Sequence, residues 1–160
     1  MPISFRNGFI AGLLLAAVAG IWLFQLWQPE RQVALHSSHL LRTLETKDWS
    51  NIGEFLATDY QDQWGQDRAL LLARLRQVLA YTRHVRIEAP LPVTRVAGEE
   101  GSWRARVTFE ADPNEVTDFI RARVNGLEEP FELRWRRQTR WPWDWKLVRV
   151  SNPALELPTF

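Results

Sequence analysis

Partway along this chain the apolar residues stop recurring at helical spacing and begin to alternate strictly, and that change of period decides the fold class. Across residues 103–111, Trp103, Ala105, Val107, Phe109 and Ala111 alternate with Arg104, Arg106, Thr108 and Glu110. Such alternation describes a strand with one face buried and the other in water, as in an antiparallel sheet. Residues 84–89, 131–136 and 145–150 repeat the pattern around Val85 and Ile87, around Leu133 and Trp135, and from Trp145 onward. Earlier segments have the helical period instead. Leu40, Leu41 and Leu44 mark a helix over residues 32–46, Asp48 caps a short one carrying Trp49, Ile52, Phe55 and Leu56, and Asp67 caps a third over residues 69–81. Residues 60–64 read as a short strand. Between the second and third alternating runs, Asp112, Pro113 and Glu115 announce one more helix, with Asp112 as its cap and Gly126 as its stop. Helices first and antiparallel strands afterwards make an α+β domain with helices on one face of a sheet.

The N-terminus is different in kind. Residues 8–28 include no charged side chain. At about 1.5 Å per helical residue such a run matches a hydrocarbon core about 30 Å thick. A cleaved signal peptide is the competing reading, with Ala17-Val18-Ala19 as its cleavage site, but the apolar run continues past that site through Leu26. The expected organisation is therefore a membrane anchor over residues 1–28, one domain over residues 29–152 and an irregular tail over residues 153–160. Arg6 on the leading side favours a cytoplasmic N-terminus. The expected location is then a bacterial inner membrane, single-pass, with the C-terminal domain in the periplasm. Beyond the anchor the chain carries 19 basic and 19 acidic side chains, a balance that speaks against nucleic acid as a partner. It has no cysteine, hence no disulfide framework and no thiolate metal site.

The order of elements resembles the nuclear transport factor 2-like (NTF2-like) superfamily, also called the SnoaL or ketosteroid-isomerase fold. The residues that carry the resemblance are Lys47-Asp48-Trp49-Ser50-Asn51-Ile52, the run from Phe55 to Tyr60, and Trp145-Lys146-Leu147-Val148-Arg149-Val150. The resemblance implies a cone in which a curved antiparallel sheet wraps the helices and leaves a pocket at the open end. It also implies dimerisation through the sheet. Members include isomerases, dehydratases, small-ligand binders and protein-binding modules, so the fold alone does not supply a function.

Tyr60, Trp64 and Tyr81 are the candidates to line such a pocket. No catalytic residue is assigned, because Asp59, Glu110 and Asp118 match no catalytic pattern and the latter two sit on polar faces. His36 and His39 lie one turn apart, but zinc requires a third and usually a fourth ligand, so no metal and no cofactor are expected. Trp141 and Trp143, with Arg140 beside them, form an aromatic and basic turn suited to a lipid surface or a protein partner in the envelope. The arginines at 134, 136 and 137 have Glu128, Glu129 and Glu132 close by, which points to a cross-strand ion-pair ladder. The expected function is a membrane-anchored, non-catalytic module that binds a protein partner or a small apolar ligand. The alternative is an isomerase or dehydratase acting on a lipophilic substrate.

Overall fold

A computed structural model describes the backbone of residues 5–156, with side chains for residues 12–25 and 27–156. Its elements in chain order are α1 (Phe5–Leu26), α2 (Pro29–Thr46), α3 (Trp49–Phe55), α4 (Arg68–Leu79), β1 (Arg86–Glu88), β2 (Val93–Ala97), β3 (Glu100–Ala105), β4 (Thr108–Glu110), α5 (Glu115–Asn125), β5 (Phe131–Arg137) and β6 (Trp145–Ser151). The helix signals in the sequence are realised locally. Pro29 opens α2, and Lys47 ends it in the left-handed region at φ 56°. Asp48 and Asp67 accept hydrogen bonds from the amides of Asn51 and Leu70, capping α3 and α4.

On α2 the buried stripe is Val33, Ser37, Leu40 and Thr43, half of it polar. Both hydroxyls are satisfied within the helix, Ser37 donating to the Val33 carbonyl and Thr43 to that of His39. Against this stripe lies an antiparallel sheet of order β2-β3-β5-β6, and β1 and β4 form a separate pair. Trp103, Trp135, Trp145, Leu147, Ile52 and Val33 are all buried in the core between helices and sheet.

The run over residues 103–111, which reads as one strand, is two. It breaks at Arg106–Val107, so that β3 pairs with β2 and β5 while β4 pairs with β1. Trp103, Ala105 and Phe109 are buried on both sides of the break. Alternation reports which face a residue presents, not which strand it pairs with. The sequence reading also lacks β2. That strand is joined to β3 by the two-residue loop Gly98-Glu99, where Gly98 takes φ 63°, as primed hairpin turns require. Residues 60–64 form no strand. The amides of Ala57, Gln61 and Gln63 instead donate to the carbonyls of Leu147, Val148 and Val150 along β6. The cap of α5 is Asn114 rather than Asp112, its side chain accepting from the Thr117 amide, while Asp112 faces His84 at 2.9 Å. Gly126 ends α5 without positive φ; a Cβ there would meet the Ala122 carbonyl oxygen at 2.8 Å.

The anchor expected over residues 1–28 is not confirmed. Residues 1–4 and the side chains of residues 5–11 and Leu26 lie outside the described part, as do residues 157–160 of the expected tail, with Leu157 and Phe160. Among the described residues no single helix is long and apolar enough to cross a membrane. The part of α1 described with its side chains is Gly12–Gln25. It meets the test only together with Pro29–Thr46, from which it is bent by 68°. The latter helix commits Val33 and Leu40 to the domain core.

Candidate functional site

Between α2, α3, α4, α5 and the inner faces of the sheets lies a cavity of about 290 Å³. Leu40 and Leu44 of α2, Leu71 and Leu75 of α4, Ile120 and Val124 of α5, and Leu133 and Leu147 of the sheet form its walls. Every lining residue is apolar or aromatic, and no carboxylate, histidine or basic group is among them. Val78 on α4 both lines the cavity and is 43% exposed, which places an opening beside that helix. A space of this size is close to the lower end of small-molecule sites, about 300 Å³.

Two of the aromatic lining residues carry polar atoms, both held out of contact with the cavity. The Trp64 indole N–H donates to the Leu155 carbonyl oxygen at 2.8 Å, so its bond is already made inside the protein. Tyr60 is buried, and its hydroxyl lies near the Val150 backbone amide without making a well-formed hydrogen bond. Burial pushes the Tyr60 phenol well above the usual tyrosine range, and the nearby Asp62 carboxylate adds to the shift. The phenol therefore stays neutral behind the cavity wall. The surface the cavity presents is wholly apolar, so this hydroxyl is shielded from it.

Asp62 holds this corner in shape. Its Oδ1 accepts from the amides of Trp64 at 2.9 Å and Gln66 at 2.8 Å, closing the turn that presents Trp64. Asp62→Ala leaves two amides without their acceptor and is expected to lower stability by about 2 kcal/mol, read by urea unfolding. Sequence reading passed over Asp62. The signal available was an acid three residues before Gly65, and Gly65 takes φ 76° in that turn.

Tyr60 and Trp64 thus meet at one cavity, and Tyr81 does not join them. It follows the end of α4 at Leu79 and is 66% exposed, with its neighbour Thr82 buried in its place. Trp141 and Trp143 stack on each other in the β5–β6 turn, with ring centroids 5.0 Å apart and planes 21° off parallel. They are 62% and 50% exposed, and Arg140 beside them is exposed. Trp145 supports the turn from inside, donating its indole N–H to the Pro142 carbonyl at 2.8 Å.

Some of the remaining charges are paired. Arg121 reaches both Glu110 and Asp118 at 3.2 Å. Of the expected ladder, Arg134 meets Glu132 at 3.4 Å within β5 rather than across strands, and Arg136 turns to Asp59 at 2.6 Å; Glu132 also meets Arg104 on β3 at 3.1 Å. The hydrogen bond from Arg136 holds the Asp59 carboxyl below its ordinary value of 3.8. This pair contributes its stabilisation above that value and loses it as pH falls through the lowered one. His36 stands edge-on to Phe55 and Trp135, and His39 edge-on to Phe55. Among the described residues no group of three or more potential ligands could hold a metal ion.

No family model matches this chain, and no curated protein does. Solved structures do. An NTF2-like protein of unknown function from Pseudomonas putida has a TM-score of 0.58 at 12% identity, over 76% of this chain and 82% of that one. A putative dehydratase of the NTF2-like family from Streptomyces avermitilis scores 0.59 at 16% identity, over 79% and 96%. A protein of Bdellovibrio bacteriovorus scores 0.60 at 7% identity; the match covers 76% of this chain and spans 40% of that protein's length. At these identities the likeness establishes the fold, which is α+β and NTF2-like.

Proposed function

We propose that this chain is a non-catalytic binder of a small apolar ligand, tethered to a membrane by its N-terminal segment. The observation that carries the ligand reading is the wholly apolar cavity between the helices and the sheet. An isomerase or dehydratase needs a proton acceptor at the reacting carbon, and the cavity wall contains no carboxylate or histidine to serve as one. The fitting ligand is hydrocarbon over the surface it buries in the cavity. Support for the tether comes from the uncharged run over residues 8–28 and from the exposed apolar side chains of α1, among them Leu14, Ile21 and Phe24. Membrane tethering would place the cavity beside a source of apolar molecules and raise its local concentration for membrane-bound partners.

The test is native mass spectrometry of the full chain released from detergent micelles, before and after delipidation. A retained mass that Leu75→Trp abolishes by filling the cavity supports the reading; the same mass in that variant would place the ligand elsewhere and sink it. Tyr60→Phe is expected to leave stability unchanged or slightly higher, because it removes an unpaired buried hydroxyl. The same change should leave the retained ligand bound, because the hydroxyl does not face the cavity. A second reading, a protein-binding module, has its own observation in the exposed Trp141–Trp143 stack. Crosslinks in the membrane that vanish in Trp141→Ala, Trp143→Ala while the cavity ligand is kept would favour it.

A further inference from the structure

Strand register sets up an arrangement on the outward face of the four-stranded sheet that the cavity does not explain. Arg95 on β2 pairs with Ser102 on β3, Ser102 with Arg134 on β5, and Arg134 with Arg149 on β6. One row across four strands therefore carries three arginines around a serine. Adjacent strands are about 4.8 Å apart, and like charges placed directly opposite are destabilising. Arg134 is partly relieved by Glu132 at 3.4 Å, whereas Arg95 and Arg149 make no ion pair among the described residues. The register shifts beside this row, between Arg134 and Trp135, and bulges of that kind re-aim side chains.

These residues line an open groove of about 690 Å³ that is walled on the β6 side by Asp59 and Gln61. Of the acids in the groove, Asp59 is held by Arg136, and Glu132 is shared between Arg104 and Arg134. Glu100 stands one row away, opposite Arg136. We propose that this face binds a phosphate group carrying two or more negative charges, a phosphate monoester or a pyrophosphate, between Arg95, Arg134 and Arg149. Guanidinium forks match phosphate oxygens in pairs, and a compact dianion relieves the opposed charges of Arg134 and Arg149 together. An acidic peptide fits less well, because its same-face carboxylates recur about every 6.8 Å along a strand, out of step with the row. A second copy docked by a two-fold axis through the row would set arginines against arginines.

The experiment is calorimetric titration of the full chain in neutral detergent micelles with inorganic pyrophosphate. Saturable binding is expected, weakened at least tenfold by Arg95→Ser or Arg149→Ser and unchanged by Arg123→Ser on α5. Pyrophosphate should raise the melting temperature of the parent chain and leave that of the double variant unmoved. Should the serine variants melt early on their own, Arg149→Lys keeps the charge, loses the fork and is expected to bind more weakly. Absence of saturable heat, equal affinity in Arg149→Ser, or a dimer that Arg149→Ser strengthens would overturn the proposal. Doping the micelles with phosphatidate then assigns the source: competition with pyrophosphate means a lipid headgroup, and no competition means a soluble phosphate.

Discussion

Replacing Trp135 by alanine is expected to cost about 3–5 kcal/mol, the largest effect of any single substitution considered for this domain. Trp135 is 1% exposed at the centre of β5. Its ring meets His36 at 5.8 Å and Phe55 at 6.3 Å, both edge-on, so one side chain joins α2, α3 and the sheet. Its neighbours belong to three different elements and cannot close over the space together, which is where cavity costs are greatest. A domain of this size has about 5–15 kcal/mol in all, so the loss takes a large share of it. Urea unfolding followed by circular dichroism measures the change. Trp135→Phe sharpens the interpretation. The indole Nε1 is buried without a partner, so phenylalanine loses volume but also removes an unsatisfied donor. A cost for Trp135→Phe as large as that for Trp135→Ala would mean that the indole N–H is doing something the structure does not show.

Gly101→Ala is expected to destabilise the domain by about 1–3 kcal/mol, by overpacking rather than by backbone strain. A Cβ at position 101 would lie 2.7 Å from Cγ2 of Val33 and 3.4 Å from the Trp145 ring. Val33 is fully buried in α2, and a β-branched residue in a helix has one strongly preferred rotamer, so it cannot swing aside. The glycine is what lets α2 lie against β3. This mechanism makes a distinctive prediction for the pair: Val33→Ala should partly rescue Gly101→Ala, with the double variant more stable than the two single costs predict. Strict additivity would show that the two positions do not press on each other.

The legible parts of this protein are those controlled within a few residues. Asp48 and Asp67 announced their helices because a capping side chain needs only the amide three residues on. The alternation around Trp103 and Phe109 announced buried faces because strand periodicity is a property of one segment. Where signals competed at short range, reading went astray. Asp112 and Asn114 both look like caps, and the pairing of Asp112 with His84, 28 residues away, left the cap to Asn114.

The cavity was legible in kind but not in membership. Tyr60 and Trp64 stand out as aromatic residues at a turn after a helix, and both reach it. Tyr81 looks equally suitable, but α4 stops two residues earlier and the chain turns it to solvent. The sequence by itself determined the fold class, the caps of α3 and α4, the buried faces of the strands and the uncharged character of the N-terminal segment. Those properties follow from local spacing and from side-chain chemistry. Tertiary structure alone decided that residues 103–111 serve two sheets, that Tyr60 shares a wall with residues of α5, and that Arg95, Arg134 and Arg149 share one row. Each of these depends on pairing between segments far apart in the chain, and local period and propensity specify no partner.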